Sequence, residues 1–132
     1  MRERAFSESP FEQRYGFCRA LRVGNRIEVS GTAPIPQDGS QAPTSAFDQM
    51  VLCGDIATEA LTRLGGSVAE VVRTRMYITS PADQDEIGRA HRQVFGDAAP
   101  AATMIVVAGL LDPSWRVEIE VEAVIRGTDR SS

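Results

Sequence analysis

The sequence predicts an α+β fold, a mostly antiparallel sheet with two helices on one face, and three observations carry that prediction. The last third runs from an apolar stretch into Val117-Glu118-Ile119-Glu120-Val121-Glu122-Ala123, where aliphatics and carboxylates alternate strictly. Strand side chains alternate between faces, so this segment has one apolar and one acidic face. Gly24-Asn25, set between two short apolar-alternating segments, is a two-residue hairpin signal. Between residues 47 and 64, Phe47, Met50, Gly54, Ala57, Leu61 and Leu64 recur at three- and four-residue spacing, which is one face of a helix.

The elements follow in order. Residues 1–14 are polar and mixed and read as a loose N-terminal arm. A strand is expected over 17–23 and, after the Gly24-Asn25 turn, a second over 26–31, with Ile27 and Val29 on one face. The stretch PIPQDGSQAPT (34–44) has the Pro, Gly and polar content of a surface loop. Ser45 with Asp48 three residues on reads as a capping start for the first helix. Gly65-Gly66 ends that helix. Gly54 lies on its apolar stripe, which points to a backbone close to a packed sheet. A third strand over 71–79 places Val72, Thr74, Met76 and Ile78 on one face and Arg73, Arg75 and Tyr77 on the other. Ser80-Pro81 is an N-cap and N1 pair. The second helix then turns Ile87, His91, Val94 and Phe95 inward and stops at Gly96. Strands over 102–108 and 116–126 complete a β-β-α-β-α-β-β order in a single domain spanning 1–132.

Composition narrows the function classes. The chain is 42% hydrophobic and 24% charged, with a net charge of −4 at pH 7. That charge argues against electrostatic capture of nucleic acid. No window approaches the roughly 20 apolar residues of a membrane span, and no signal peptide is visible behind Met1-Arg2-Glu3-Arg4. A cytoplasmic location without membrane attachment is expected. Cys18, Cys53 and the one histidine, His91, have no metal-ligand spacing. The two cysteines read as buried free thiols, and neither metal nor cofactor is expected.

The sheet face away from the helices collects Glu28, Ser30, Arg73, Arg75, Tyr77, Glu118, Glu120 and Glu122. Two readings remain open. Cross-strand charge pairs can make it a solvated face, or copies of the chain can close it into an oligomer.

Several short motifs occur together in order: Gly24-Asn25, Val29-Ser30-Gly31-Thr32, Gln49, Leu64-Gly65-Gly66, Val71-Val72-Arg73-Thr74, Phe95, Pro100-Ala101 and Val117-Glu118-Ile119-Glu120. The combination resembles the RidA/YjgF family of reactive-intermediate (enamine/imine) deaminases, once called L-PSP endoribonucleases, over residues 15–126. The resemblance implies a chorismate-mutase-like fold and a homotrimer with clefts at subunit interfaces. It also implies hydrolysis of small imines and enamines of the 2-aminoacrylate type.

Carried over position by position, the family's water-activating glutamate falls on Glu118 and its Ser-Gly pair on Ser30-Gly31. The common tyrosine falls on Phe17. The arginine that holds the substrate carboxylate falls on Ala102, which has neither donor nor charge, and the usual cysteine falls on Met104. The chain thus resembles an arginine-lacking branch. Thr103 offers a hydroxyl beside the altered position. Arg75 is either a replacement anion receptor or a partner of the strand glutamates. Two outcomes remain open: a small-molecule hydrolase or deaminase with weak activity on 2-imino acids, and a non-catalytic ligand-binding or regulatory trimer. A ribonuclease fits the charge least.

Overall fold

The computed structural model describes residues 1–127. Six strands and three α-helices are present: β1 (Arg2–Ala5), α1 (Pro10–Tyr15), β2 (Ala20–Val23), β3 (Arg26–Thr32), α2 (Ala46–Arg63), β4 (Val71–Ile78), α3 (Gln84–Phe95), β5 (Ala101–Val106) and β6 (Val117–Val124). They form one sheet of order β1-β2-β3-β6-β4-β5. All neighbours are antiparallel except β4 and β5. The expected mostly antiparallel α+β layer is therefore present, with one strand and one helix more than the sequence pattern predicts.

Both additions lie in the segment read as a loose arm, and that reading is corrected here. Arg2–Ala5 pairs along its whole length with β2. Only Ala5 of its side chains is buried, so backbone pairing with β2 holds the strand and no hydrophobic alternation announces it. Ser9 then caps α1 by accepting from the Phe11 amide, Pro10 fills the first turn, and Gly16 closes the helix in the left-handed region at φ 79°. The strand expected from residue 17 begins only at Ala20.

The core lies between the sheet and the two longer helices. Ile27, Val29, Thr74, Met76, Ile78, Val117, Ile119, Val121 and Ala123 are all buried. They meet Met50, Cys53, Ala57, Ala60 and Leu61 of α2 and Ile87, Ala90 and Phe95 of α3. Ser45 caps α2 by accepting from the Asp48 amide at 3.0 Å. Gly54 corrects one expectation: a Cβ there would come within 2.9 Å of Val94 on α3, so its close neighbour is the other helix and not the sheet. Val72 corrects another. A bulge between Val71 and Arg73 turns Val71 into the core and leaves Val72 exposed. A one-residue slip of this kind exchanges the faces. Ser80-Pro81 caps a 3-10 turn (Pro81–Asp83), and α3 follows directly from it.

Candidate functional site

A second bulge, in β3 between Val29 and Thr32, lies where the C-terminal end of β3 meets the N-terminal ends of β2 and β6. Glu118 stands here. Gly31 lies against it so closely that a Cβ on Gly31 would collide with the carboxylate. The missing side chain is what lets the acid occupy this position.

A small cavity of about 80 Å³ opens over the pair. Its walls come from α1 (Phe11, Tyr15), from the segment leading into β2 (Phe17, Arg19), from the end of β3 (Gly31, Thr32), from Trp115 just before β6 and from Glu118 at its start. It adjoins a larger groove of about 1120 Å³ that shares Phe11, Ile35, Leu111 and Trp115 and is edged both by prolines such as Pro34, Pro43 and Pro113 and by polar residues such as Thr79, Asp83, Asp112 and Arg116.

The polar framework is built from buried hydrogen bonds. Arg19 and Glu12 are each only 4% exposed and pair at 3.0 Å through Nε and Oε2. Arg19 Nη1 also donates to the Gly31 carbonyl at 2.7 Å and to Thr32 Oγ1 at 3.1 Å. Glu12 accepts from the Ser7 amide at 2.8 Å and from the Ser7 hydroxyl. Removing one member of such a pair would strand the other charge in low dielectric, at a cost of about 3–5 kcal/mol. The network locks α1 and the β3 bulge together. The guanidinium also lies over the Phe17 ring at 5.6 Å.

Gln49 sets the opposite wall. Buried on α2, it donates to the carbonyls of Pro43 and Ser114 and accepts from the Arg116 amide at 2.7 Å. Those bonds fix both neighbours of Trp115, whose indole meets Phe11 edge-on at 6.2 Å.

Burial pushes the Glu118 carboxyl above the ordinary glutamate value; Arg19 pulls it down and Glu120 adds to the rise. A carboxyl raised in this way can exchange a proton nearer neutral pH than a solvated one.

Of the residues singled out in the sequence, the fold brings Phe17, Gly31 and Glu118 together. The others lie elsewhere. The Ser30 hydroxyl donates to the Cys18 carbonyl at 2.7 Å. Arg75 pairs with Glu122 at 2.9 Å and reaches Glu120 at 3.8 Å. Thr103 Oγ1 accepts from Arg73 at 2.9 Å. Ala102 is exposed on β5, and Met104 packs against the core. The sequence pattern singles out none of Arg19, Glu12, Phe11 and Trp115. Nothing in their local pattern sets them apart. Among the described residues no group of three or more His, Cys, Asp or Glu could hold a metal, and no helix is long and apolar enough to cross a membrane.

The profile of the family described as Endoribonuclease L-PSP matches residues 8–125. The chain belongs to that family. This is the RidA/YjgF family that the motifs resemble, and its fold is the α+β sheet described above. An uncharacterised protein of Streptomyces coelicolor is 35% identical to this L-PSP family member over 120 residues, 91% of this chain and 90% of its own. A RutC family protein of Pyrococcus abyssi is 28% identical over 82% of this chain and 84% of its own. Among solved structures, Rv2704 of Mycobacterium tuberculosis, a member of the YjgF/YER057c/UK114 family, superposes with a TM-score of 0.86 at 33% identity, covering 95% of this chain and 100% of its own. The fold extends to E. coli TdcF, solved with bound serine, at a TM-score of 0.79, 23% identity and coverage of 93% and 94%.

Proposed function

We propose that this L-PSP family chain is a small-molecule hydrolase that deaminates an imine, enamine or related metabolite in the cavity over Glu118, as a homotrimer whose clefts lie between subunits. The observation that carries the reading is Glu118 itself: a carboxyl with its proton affinity raised by burial, held over a glycine at the mouth of a cavity. Glu118 takes a proton from water as it adds to the C=N carbon, and returns one to the departing nitrogen. Carbinolamine collapse then releases ammonia and leaves a carbonyl. No metal or cofactor enters this chemistry.

The β5 residues Ala102, Thr103 and Met104 are separated from β6 by β4. In this reading the exposed β5 edge at Ala102 and Thr103 borders the cleft of a neighbouring copy, while Met104 stays packed against its own core. With alanine where the family places its arginine, 2-imino acids lose a charge-assisted hydrogen bond, roughly 1.5–3 kcal/mol of binding, and are turned over slowly. Ammonia release from a panel of freshly generated imines and imino acids, with native protein and with Glu118→Gln, tests the proposal. Turnover that disappears in the variant supports it. Absence of turnover across the panel, or turnover unchanged in Glu118→Gln, refutes it.

A further inference from the structure

Arg19 has more hydrogen-bond capacity than its framework uses. A guanidinium carries five N–H donors in one plane, one on Nε and two on each terminal nitrogen. Here Nε is engaged by Glu12, and the donors of Nη1 by the Gly31 carbonyl and Thr32 Oγ1. Nη2 has no partner. The side chain is only 4% exposed, yet Nη2 is not sealed in: among the described residues the fully enclosed polar side-chain atoms without a partner are Thr58 Oγ1 and Arg73 Nε. The Nη2 donors therefore open onto the space that Arg19 lines, the cavity of about 80 Å³ over Glu118.

Gly31 brings this donor and the Glu118 carboxylate to one place. Arg19 Nη1 holds the Gly31 carbonyl at 2.7 Å, and Glu118 Oε2 stands where a Gly31 Cβ would be. The two charges act on each other, since Arg19 lowers the proton affinity of Glu118. They do not touch, because the ion pair of Arg19 is with Glu12. A donor and an acceptor that share a cavity without touching leave a place for an oxygen between them, and the cavity exceeds what one water needs. Arg14, exposed over the Phe11 and Tyr15 rings, does not line it. The Glu12 pair and the Phe17 ring hold the Arg19 guanidinium still. A donor fixed in this way in a low dielectric stabilises charge that develops during a reaction.

Resting on the reading that imine hydrolysis takes place here, we propose that Arg19 is a second catalytic residue, whose Nη2 binds the oxygen that water brings to the C=N carbon. In the addition the water oxygen bonds to carbon, the C=N electron pair moves to nitrogen, and Glu118 takes the water proton. In the collapse Glu118 returns that proton to nitrogen and takes the hydroxyl proton. The oxygen pair then forms the carbonyl as the C–N bond breaks, and Glu118 passes its proton to the ammonia. Nη2 donates to the oxygen throughout, most strongly while negative charge builds on it. An iminium ion and water give a carbonyl compound and an ammonium ion, with no other reactant. The pair of groups thus recognises an oxygen and a nitrogen on one carbon, the oxygen at Arg19 and the nitrogen at Glu118. A carbinolamine has that pattern, and so does a primary amide, which is stable.

Trp115 is the only tryptophan and lines the cavity, so its fluorescence reports occupancy without turnover. Native protein is titrated with 2-phenylacetamide, phenylacetone and phenylacetate, which share a ring and a carbonyl and differ in the amine, methyl or oxygen beside it. The amide should bind at least ten times more tightly than either of the others. The guanidinium resonances of Arg19 in the labelled native protein should shift when it binds. Arg19→Lys keeps a charge for Glu12 but has a single nitrogen, which cannot serve Glu12, Gly31 and the cavity together. It should weaken the amide about tenfold and lower kcat for imine hydrolysis about a hundredfold, with KM changed far less. Unmoved guanidinium resonances, an amide held no more tightly than phenylacetone, or a native kcat in folded Arg19→Lys overturns the proposal. Where Arg19→Lys does not fold, the native resonances decide. Tighter binding of phenylacetate would make Arg19 a carboxylate anchor and overturns the proposal as well. The two claims fail separately. Turnover lost in Glu118→Gln but not in Arg19→Lys leaves the reaction standing without Arg19. A native protein that holds the amide through Arg19 and hydrolyses no imine sinks the reaction and leaves the pair as a binding site.

Discussion

Glu118 is the residue where chemistry and stability pull in opposite directions. Its carboxyl is raised above the ordinary glutamate value by burial, so the folded protein holds this proton more tightly than the unfolded chain does. Where the folded state binds more protons, stability falls as pH rises. The sign is therefore fixed: the folded state is best served by Glu118 below the unfolded glutamate value, and loses that contribution as pH climbs through the raised folded value. Glu118→Gln removes the titration. The variant should be more stable than the native chain at neutral pH, and the difference should vanish under acid conditions where both side chains are neutral. Denaturant midpoints measured at several pH values check this, and a variant less stable at pH 7 would contradict it. A stabilised, inactive variant is the usual signature of a group kept for function.

The contact between α2 and α3 offers a test at the level of elements. Gly54 and Val94 meet where a Cβ would stand 2.9–3.3 Å from three atoms of the valine. Alanine at 54 would gain about 1 kcal/mol of helix propensity, but crowding a β-branched side chain in a packed interface costs about 1–3 kcal/mol. Gly54→Ala should thus destabilise by about 1 kcal/mol, and Val94→Ala in the same chain should recover most of the loss. Thermal unfolding of the two single variants and the double variant checks it; additivity of the single losses would show that the two residues do not touch.

The same elements show what a sequence can and cannot disclose. The β6 alternation, the Gly24-Asn25 turn and the Ser45 cap are local rules, and the structure repeats them. β1 follows no such rule, because three of its four side chains are exposed and its partner strand is fifteen or more residues away. Val72 departs from its expected face because a bulge resets the alternation without changing composition. Gly31 and Glu118 stand out as a glycine in a strand and a carboxylate in a row. Arg19 does not, since a buried arginine and a surface arginine are spelled alike. The cavity's rings come from residues 11–17 and 115, so their meeting is a property of topology and not of any window.

Across the whole molecule, the open sheet face is a lattice of partial charge pairs. Arg26 meets Glu28 at 3.1 Å and Glu122 at 3.4 Å, Arg75 meets Glu122, and the Tyr77 hydroxyl donates to Glu120 at 2.9 Å. Exposed pairs of this kind contribute little, about 0–1 kcal/mol each. They satisfy the face without giving it a reason to exist as a flat, ordered surface. Beside it the edge strand β5 leaves Ile105 39% and Val106 53% exposed, an edge that isolated domains generally protect. A closed ring of copies accounts for both features. Sedimentation equilibrium at micromolar concentration should give a mass near three times 14.3 kDa. A clean monomer would remove the neighbouring β5 from the cleft and with it the interfacial site.

The place of β6 in the sheet has a bearing on how the protein is made. This strand lies between β3 and β4 and pairs with both, yet it is the last of the six described strands in chain order. Until it is made β1-β2-β3 and β4-β5 are separate fragments, each with one raw edge waiting for the same strand, and Trp115 and Glu118 have not reached the cavity. The six-stranded sheet therefore cannot close until β6 has been made. In that interval the half-built sheets are at their most exposed to pairing with the wrong chain. A nascent polypeptide of this order keeps those edges open for longer than a chain with its central strand encoded early.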